Sequence, residues 1–147
     1  MSSSDRRDAA PASHRPLEHT ADVGIEVEAP SLETLFAEAA VALGDTLTPI
    51  ANVERDLERA VAVESSEVEL LLVDFLSELL FLFETEGLVV AEARVALDGT
   101  TLRATVRGER YDEAKHPLRS LVKAVTYHGL RVWRENDRYR AQVLFDL

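Results

Sequence analysis

The chain has 147 residues, no Cys, and 27 Asp and Glu against 16 Lys and Arg, for a net charge of −11. Such a length suits one domain with its own hydrophobic core. The lack of Cys excludes disulfides, thiolate metal sites and cysteine nucleophiles, and so acidic a chain is poorly suited to grip nucleic acid by itself.

The charge is uneven. Residues 103–140 hold ten cations and five acids, so this segment is +5 within an acidic body. Residues 1–16 hold Ser, Arg, Asp, Ala and Pro without an apolar run, which reads as neither signal peptide nor anchor. No other run is long enough to span a bilayer. The expectation is a cytosolic protein with a disordered tail over residues 1–15 and one domain over 16–147.

The first predicted strand is Val23-Gly24-Ile25-Glu26-Val27-Glu28-Ala29. Val23, Ile25 and Val27 share one face, and Asp22 falls in phase with Glu26 and Glu28 on the other. Pro30-Ser31 opens a helix with Ser31 as N-cap and Leu32, Leu35, Phe36, Ala39, Ala40 and Leu43 at helical spacing, and Gly44 is placed to end it. A loop with Pro49 follows, then a strand over Leu57 to Glu64. Ser66-Glu67-Val68-Glu69 reads as a capping box for the longest helix, which Gly87 closes. Its apolar stripe includes Val68, Leu71, Leu72, Phe75, Leu76, Leu79, Leu80 and Phe83, and burying eight such side chains at roughly 1.5–3 kcal/mol each makes it the centre of the core. Asp74 and Glu78 read as its solvated stripe.

Leu88–Leu97 and Thr100–Arg107 flank Asp98-Gly99, a strong hairpin signal. Residues 108–117 form a polar loop, and Pro117 opens an expected third helix with Leu118, Leu121, Val122 and Val125 inward. Two last strands, near 129–134 and 138–146, meet at Asn136-Asp137. The order β-α-β-α-β-β-α-β-β implies an α+β fold: a two-layer single domain with a largely antiparallel sheet and helices packed on one side.

No glycine-rich phosphate loop, G-x-S-x-G elbow or H-E-x-x-H is present. Of the four His, His14 lies in the tail and reads as inert. The other polar clusters are His19-Thr20-Ala21-Asp22, the Glu109 to Lys123 region, and Ala124-Val125-Thr126-Tyr127-His128 with Asp146. If the strands carrying Asp22 and Asp146 are antiparallel neighbours, the two carboxylates meet at one sheet edge beside Leu147. An oxygen-only site of that kind suits Ca²⁺ or Mg²⁺, and a nearby His would admit Mn²⁺. The alternative is two solvated aspartates at strand ends.

His19-Thr20-Ala21-Asp22-Val23-Gly24 resembles the opening signature of the archease family. Leu70 to Leu80 is similar to the family's central helix. Gly108-Glu109, His116 and Lys123 to His128 match its third block, and Phe145-Asp146-Leu147 its terminus. Four blocks in register cover residues 16–147. The resemblance implies an accessory protein of the RtcB-type RNA ligase, which joins tRNA halves. It would promote guanylylation and multiple turnover of that ligase without being an enzyme, and would meet tRNA halves only indirectly. It also implies that Asp22, Asp146 and the terminal group of Leu147 hold a divalent metal, most readily Ca²⁺. Functional positions at His19, Glu109, His116, Lys123 and His128 come from the same resemblance.

Physical reasoning adds that an acidic body with one cationic segment suits docking on a basic ligase. Lys123, expected on a helix with an apolar opposite face, is the cation to aim at a phosphate. The alternative there is an ordinary surface lysine. Two other classes compete: a stand-alone metal-dependent phosphoesterase or nuclease, for which nucleophile and ligands are too few, and a chaperone-like interaction module with a structural metal.

Overall fold

The protein is described by a computed structural model covering residues 11–18 and 23–147. Its elements are β1 (Ser13–Glu18), β2 (Val23–Ala29), α1 (Leu32–Leu47), a 3₁₀ turn (Ile50–Asn52), β3 (Leu57–Glu64), α2 (Val68–Glu86), β4 (Leu88–Asp98), β5 (Thr101–Arg110), β6 (Ala124–Glu135) and β7 (Arg138–Asp146). The strands form two antiparallel sheets, β1-β2-β7-β6 and β3-β5-β4. The α+β class and the antiparallel pairing are as expected. The single sheet is not, because β3, β4 and β5 pair among themselves.

One contiguous core draws on both sheets and both helices, with Phe36, Phe75, Leu71, Leu76, Ile25 and Phe145 fully buried. Helix α2 supplies seven buried residues, Leu71, Leu72, Val73, Phe75, Leu76, Leu79 and Leu80, as its apolar stripe requires. It packs chiefly on β6, while α1 lies against β4 and β2.

The caps differ in detail from expectation. Ser31 caps α1 in a reciprocal box with Thr34, whose amide donates to Ser31 Oγ at 3.1 Å. Gly44 does not end that helix. It is buried in its interior, where an added Cβ would stand 2.1 Å from the Val90 carbonyl oxygen, so it is there for close approach to β4. No capping box forms at Ser66. The Ser65 amide is tied to the Thr100 carbonyl at the β4–β5 hairpin, and the helix begins one residue later with Glu67 as N-cap and no side-chain cap bond. Gly87 closes α2 in the left-handed conformation, φ 73°, as its position predicts.

Two hairpins fix the register of the later strands. Gly99 (φ 61°) and Thr100 turn β4 into β5, one residue beyond the expected Asp98-Gly99 pair. Asn136 and Asp137, both at positive φ (52° and 60°), join β6 to β7, the pattern of a type I′ turn.

Two larger corrections bear on function. Of the tail expected over residues 1–15, residues 1–10 lie outside the described residues, and from Ser13 onward the chain is a strand, with His14 paired to Val27, because the β2 edge is free to accept it. The expected third helix does not form. Residues 117–123 are irregular, since their backbone groups are spent elsewhere: the Pro117 carbonyl accepts from Thr48 Oγ1 (2.8 Å), the Arg119 amide donates to Leu47 O (2.7 Å) and the Lys123 amide to Asp146 O (2.8 Å). Val122 and Val125 turn inward, but Leu118 and Leu121 are 46% and 57% exposed.

Candidate functional site

His19 and Asp22 lie outside the described residues. The premise for pairing Asp22 with Asp146 holds at the level of strands, since β2 and β7 are antiparallel neighbours. Val23, the residue after Asp22, is the partner of Phe145, the residue before Asp146. On the other side of β7, Ala124 pairs with Asp146, and the Lys123 amide donates to the Asp146 carbonyl. The Asp146 and Lys123 side chains are exposed, and neither has a hydrogen-bond or ion-pair partner among the described residues. Leu147 is 51% exposed beside them. The fold thus gathers Lys123, Asp146 and Leu147 at one end of the four-stranded sheet. It does so through strand pairing, with Lys123 on the approach to β6 rather than on a helix.

His128 lies on the same strand, where the β6–β7 register shifts between Thr126 and Arg131. Gly129 adopts φ 70° there, the His128 amide donates to Thr126 Oγ1 at 3.0 Å, and Tyr127 and His128 are turned outward.

Glu109 and His116 belong to a different cluster. Glu109 ends the buried run of β5, and His116 is fully buried under the loop that follows. The Asp112 amide donates to His116 Nδ1 at 2.9 Å, so that nitrogen carries no proton and the ring proton sits on Nε2. Nε2 donates to Glu109 Oε1 at 2.8 Å, and Lys115 Nζ donates to Glu109 Oε2 at 2.7 Å. The Lys115 ammonium, the Glu54 amide and His116 together hold the Glu109 carboxyl down at about 2, against its partial burial. Glu109 in turn raises Lys115. This knot pins the 111–117 loop to β5.

Glu54, Asp56 and Glu109 bring carboxylate oxygens within 4.8 Å of one another, the one acidic grouping among the described residues with metal-ligand proximity. Its donors are hard oxygens, suited to Ca²⁺ or Mg²⁺. However, Lys115 Nζ already lies 2.7 Å from Glu109 and 3.6 Å from Glu54, so an ion there would have to displace an ammonium. Glu54 and Asp56 carried no recognisable sequence signal, because the segment before β3 reaches Glu109 only through the pairing of β3 with β5, and Lys115 was marked only as part of the Glu109 to Lys123 region.

His14 is not inert. From β1 its Nδ1 meets Glu38 at 2.5 Å and its Nε2 meets Asp45 at 3.2 Å, both on α1. The hydrogen bond to Glu38, opposed by burial and helped by Asp45, raises the imidazole. Burial works against ionised Asp45, but the Ile50 amide, His14 and Arg119 together hold it below its usual range. The sequence signal was Glu38 and Asp45 seven apart on one helical face.

Comparison with known proteins completes the description. Residues 14–147 match the model of the Archease protein family (MTH1598/TM1083). The chain is 39% identical to protein archease of Pyrococcus furiosus over 135 residues, 88% of this chain and 95% of that one. It is 38% identical to protein archease of Methanopyrus kandleri, over 89% of this chain and 96% of that one. Among solved structures it is similar to Methanobacterium thermoautotrophicum protein 1598, with TM-score 0.72 and 29% identity, covering 91% of this chain and 98% of that one. It is also similar to an archease from Thermotoga maritima described as a possible chaperone, with TM-score 0.59 and 26% identity, covering 90% and 96%.

Proposed function

The chain belongs to the archease family, and from that premise we propose that it is a non-catalytic activator of an RtcB-type RNA ligase. It promotes guanylylation and multiple turnover of that ligase and uses a divalent cation held by Asp22, Asp146 and the main-chain oxygen of Leu147. The observation that carries this reading is the β2–β7 register, which sets the residue after Asp22 opposite the residue before Asp146. The donor chemistry is consistent with it. Asp146 offers an exposed carboxylate without a protein partner among the described residues, and oxygen donors suit Ca²⁺ first, with Mg²⁺ or Mn²⁺ as alternatives. A cation there would supply positive charge to a phosphate at the ligase's nucleotide site.

This chain's own contribution is positional. Lys123 is held beside Asp146 by its backbone bond, so an ammonium and a carboxylate share one exposed edge. The ammonium has no partner among the described residues and can meet a phosphate, and strand pairing fixes where it starts from. Glu109, His116 and Lys115 shape the loop that leads into this edge and stay out of the chemistry. His128 rims the same strand.

A chaperone-like interaction role is the second reading, favoured by four large apolar residues left exposed along this stretch, Leu118, Leu121, Tyr127 and Leu147.

The test incubates the protein with RNA, GTP and Mn²⁺, with and without ligase. Turnover only with ligase is expected. Turnover without it would replace the activator with a metal-dependent phosphoesterase or nuclease, and no effect on the ligase would leave the chaperone role. Lys123→Ala is expected to keep metal affinity and melting temperature and to slow ligase guanylylation at least tenfold, about 1.4 kcal/mol of lost stabilisation. Asp146→Ala is expected to weaken calcium binding by calorimetry, and unchanged affinity would move the site elsewhere.

A further inference from the structure

We propose that the free edge of β3 docks an extended, basic segment of a partner protein, taken up as a fourth strand of the three-stranded sheet. In that sheet β5 is central, so β3 and β4 are its edges, and an edge strand leaves every second amide and carbonyl unpaired. Two bonds fix the phase of β3. The Ser65 amide donates to the Thr100 carbonyl on the β5 side at 3.1 Å, and the Glu58 carbonyl accepts from Arg59 Nη1 at 2.8 Å. The residues in step with Glu58 are Ala60, Ala62 and Glu64. They turn their amides and carbonyls away from β5, and all three are exposed.

The other sheet edges among the described residues are covered or broken. β4 shifts register between Val90 and Glu92, lies against α1, and gives its Leu97 amide to the Glu33 carboxylate at 2.9 Å. β1 carries Pro16, which has no amide hydrogen to offer, and β6 loses its register between Thr126 and Arg131. β3 keeps one register with β5 over all eight of its residues and contains neither Pro nor Lys. Edges without such devices recruit a further strand.

The surroundings of this edge select its occupant. Arg59 Nε is bonded to Glu86 of α2 at 2.9 Å, so the helix row Glu78, Leu82 and Glu86, one turn apart, runs alongside β3. The next row on the helix is Asp74, Glu78, Phe81 and Thr85, and Phe81 is 54% exposed. Glu64, Glu67, Asp74 and Glu78 have no ion-pair partner among the described residues. Beside the open run, Arg59 and Arg107 are spent on Glu86 and Glu58, which leaves Arg103 of β5 against four carboxylates. A basic strand added here sets alternate side chains toward Leu82 and Phe81 and the rest beside Glu64. A second copy fits badly. Pairing two β3 edges about Val61 puts Glu58 of one copy across from Glu64 of the other, at both ends. β3 belongs to the sheet that does not carry Asp146, so this inference is independent of the ligase reading.

The probe is a synthetic peptide of about eight residues alternating lysine and valine, titrated into the full chain and followed by calorimetry and amide hydrogen exchange. Saturable binding is expected, with slowed exchange at Ala60, Ala62 and Glu64. Affinity is expected to fall roughly threefold or more from 50 to 200 mM salt, as exposed charges are screened. The same peptide N-methylated at its central amides keeps its charge and side chains but cannot pair with an edge, and is expected to bind at least tenfold more weakly, about 1.4 kcal/mol. Ala62→Pro removes one outward amide at an edge position and is expected to lose binding while keeping the melting temperature. Glu64→Lys combined with Glu78→Lys leaves the backbone alone, decides the matter if the proline variant does not fold, and is expected to weaken binding at least fivefold. Glu113→Lys, an exposed acid in the 111–117 loop, is expected to bind like the parent. Absence of saturable binding, exchange slowed elsewhere than β3, or equal binding by the N-methylated peptide, the folded proline variant or the charge reversal would each overturn the proposal. So would a dimer in sedimentation whose Ala60, Ala62 and Glu64 amides are protected without peptide.

Discussion

At the scale of single residues, polar partners rather than exposure separate the histidines. His116 is buried with both ring nitrogens engaged, and its role is to hold a loop. His14 sits between two carboxylates on α1 and joins β1 to the helix. Because the folded environment raises His14 above its usual value near 6.5, its contribution is fully present below that value. It is lost as pH rises through the raised folded value. His14→Gln is therefore expected to melt below the parent in mildly acidic buffer, with the gap closing as pH rises through the neutral and alkaline range. A gap that stays constant with pH in a thermal-melt series would remove the charged imidazole as its source. His14 was passed over in the sequence because its partners are 24 and 31 residues away.

At the scale of elements, local pattern succeeded where a segment's own side chains decide its conformation. The stripe of α2, the alternation of β2 and β7, and the turns at Gly99 and Asn136-Asp137 are of that kind. It failed over residues 117–123, where Pro117 and an i, i+3 apolar spacing mimic a helix start. The segment's amide and carbonyl groups instead complete the ends of α1 and β7. Leu121→Glu should consequently shift stability by no more than about 0.5 kcal/mol. A melting loss of several degrees would restore the buried face of a helix. Gly44 makes a second test. An exposed helix-interior Gly→Ala change gains about 1 kcal/mol, yet here the new Cβ would meet the Val90 carbonyl at 2.1 Å. Gly44→Ala is expected to lower stability by about 1–3 kcal/mol in chemical denaturation. A gain would show that α1 and β4 can separate freely.

At the scale of the whole molecule, the net charge of −11 and the +5 segment set how a partner approaches. If docking on a basic ligase is steered by these fields, the concentration for half-maximal activation should rise roughly threefold or more between 50 and 300 mM salt, as screening shortens the reach of exposed charges. Activation indifferent to salt would assign the docking to the exposed apolar residues instead. No helix of the described residues is long and apolar enough to cross a membrane.

The sequence by itself determined the α+β class, the long buried helix, most strand limits and the family, because periodicity and contiguous blocks are local properties. It also marked Asp146 and Lys123 as residues of interest. That these two are neighbours was decided only by the tertiary structure, through the pairing of Ala124 with Asp146. The separation of Glu109 and His116 into a loop-holding knot was decided in the same way. So were the split into two sheets and the docking of β1. The physical reason is that a backbone or side-chain group bonds to whichever edge, carbonyl or buried partner folding leaves open. That partner is distant in sequence for Ala124 and Asp146 and near for Glu109 and the buried His116, and no local pattern records the choice.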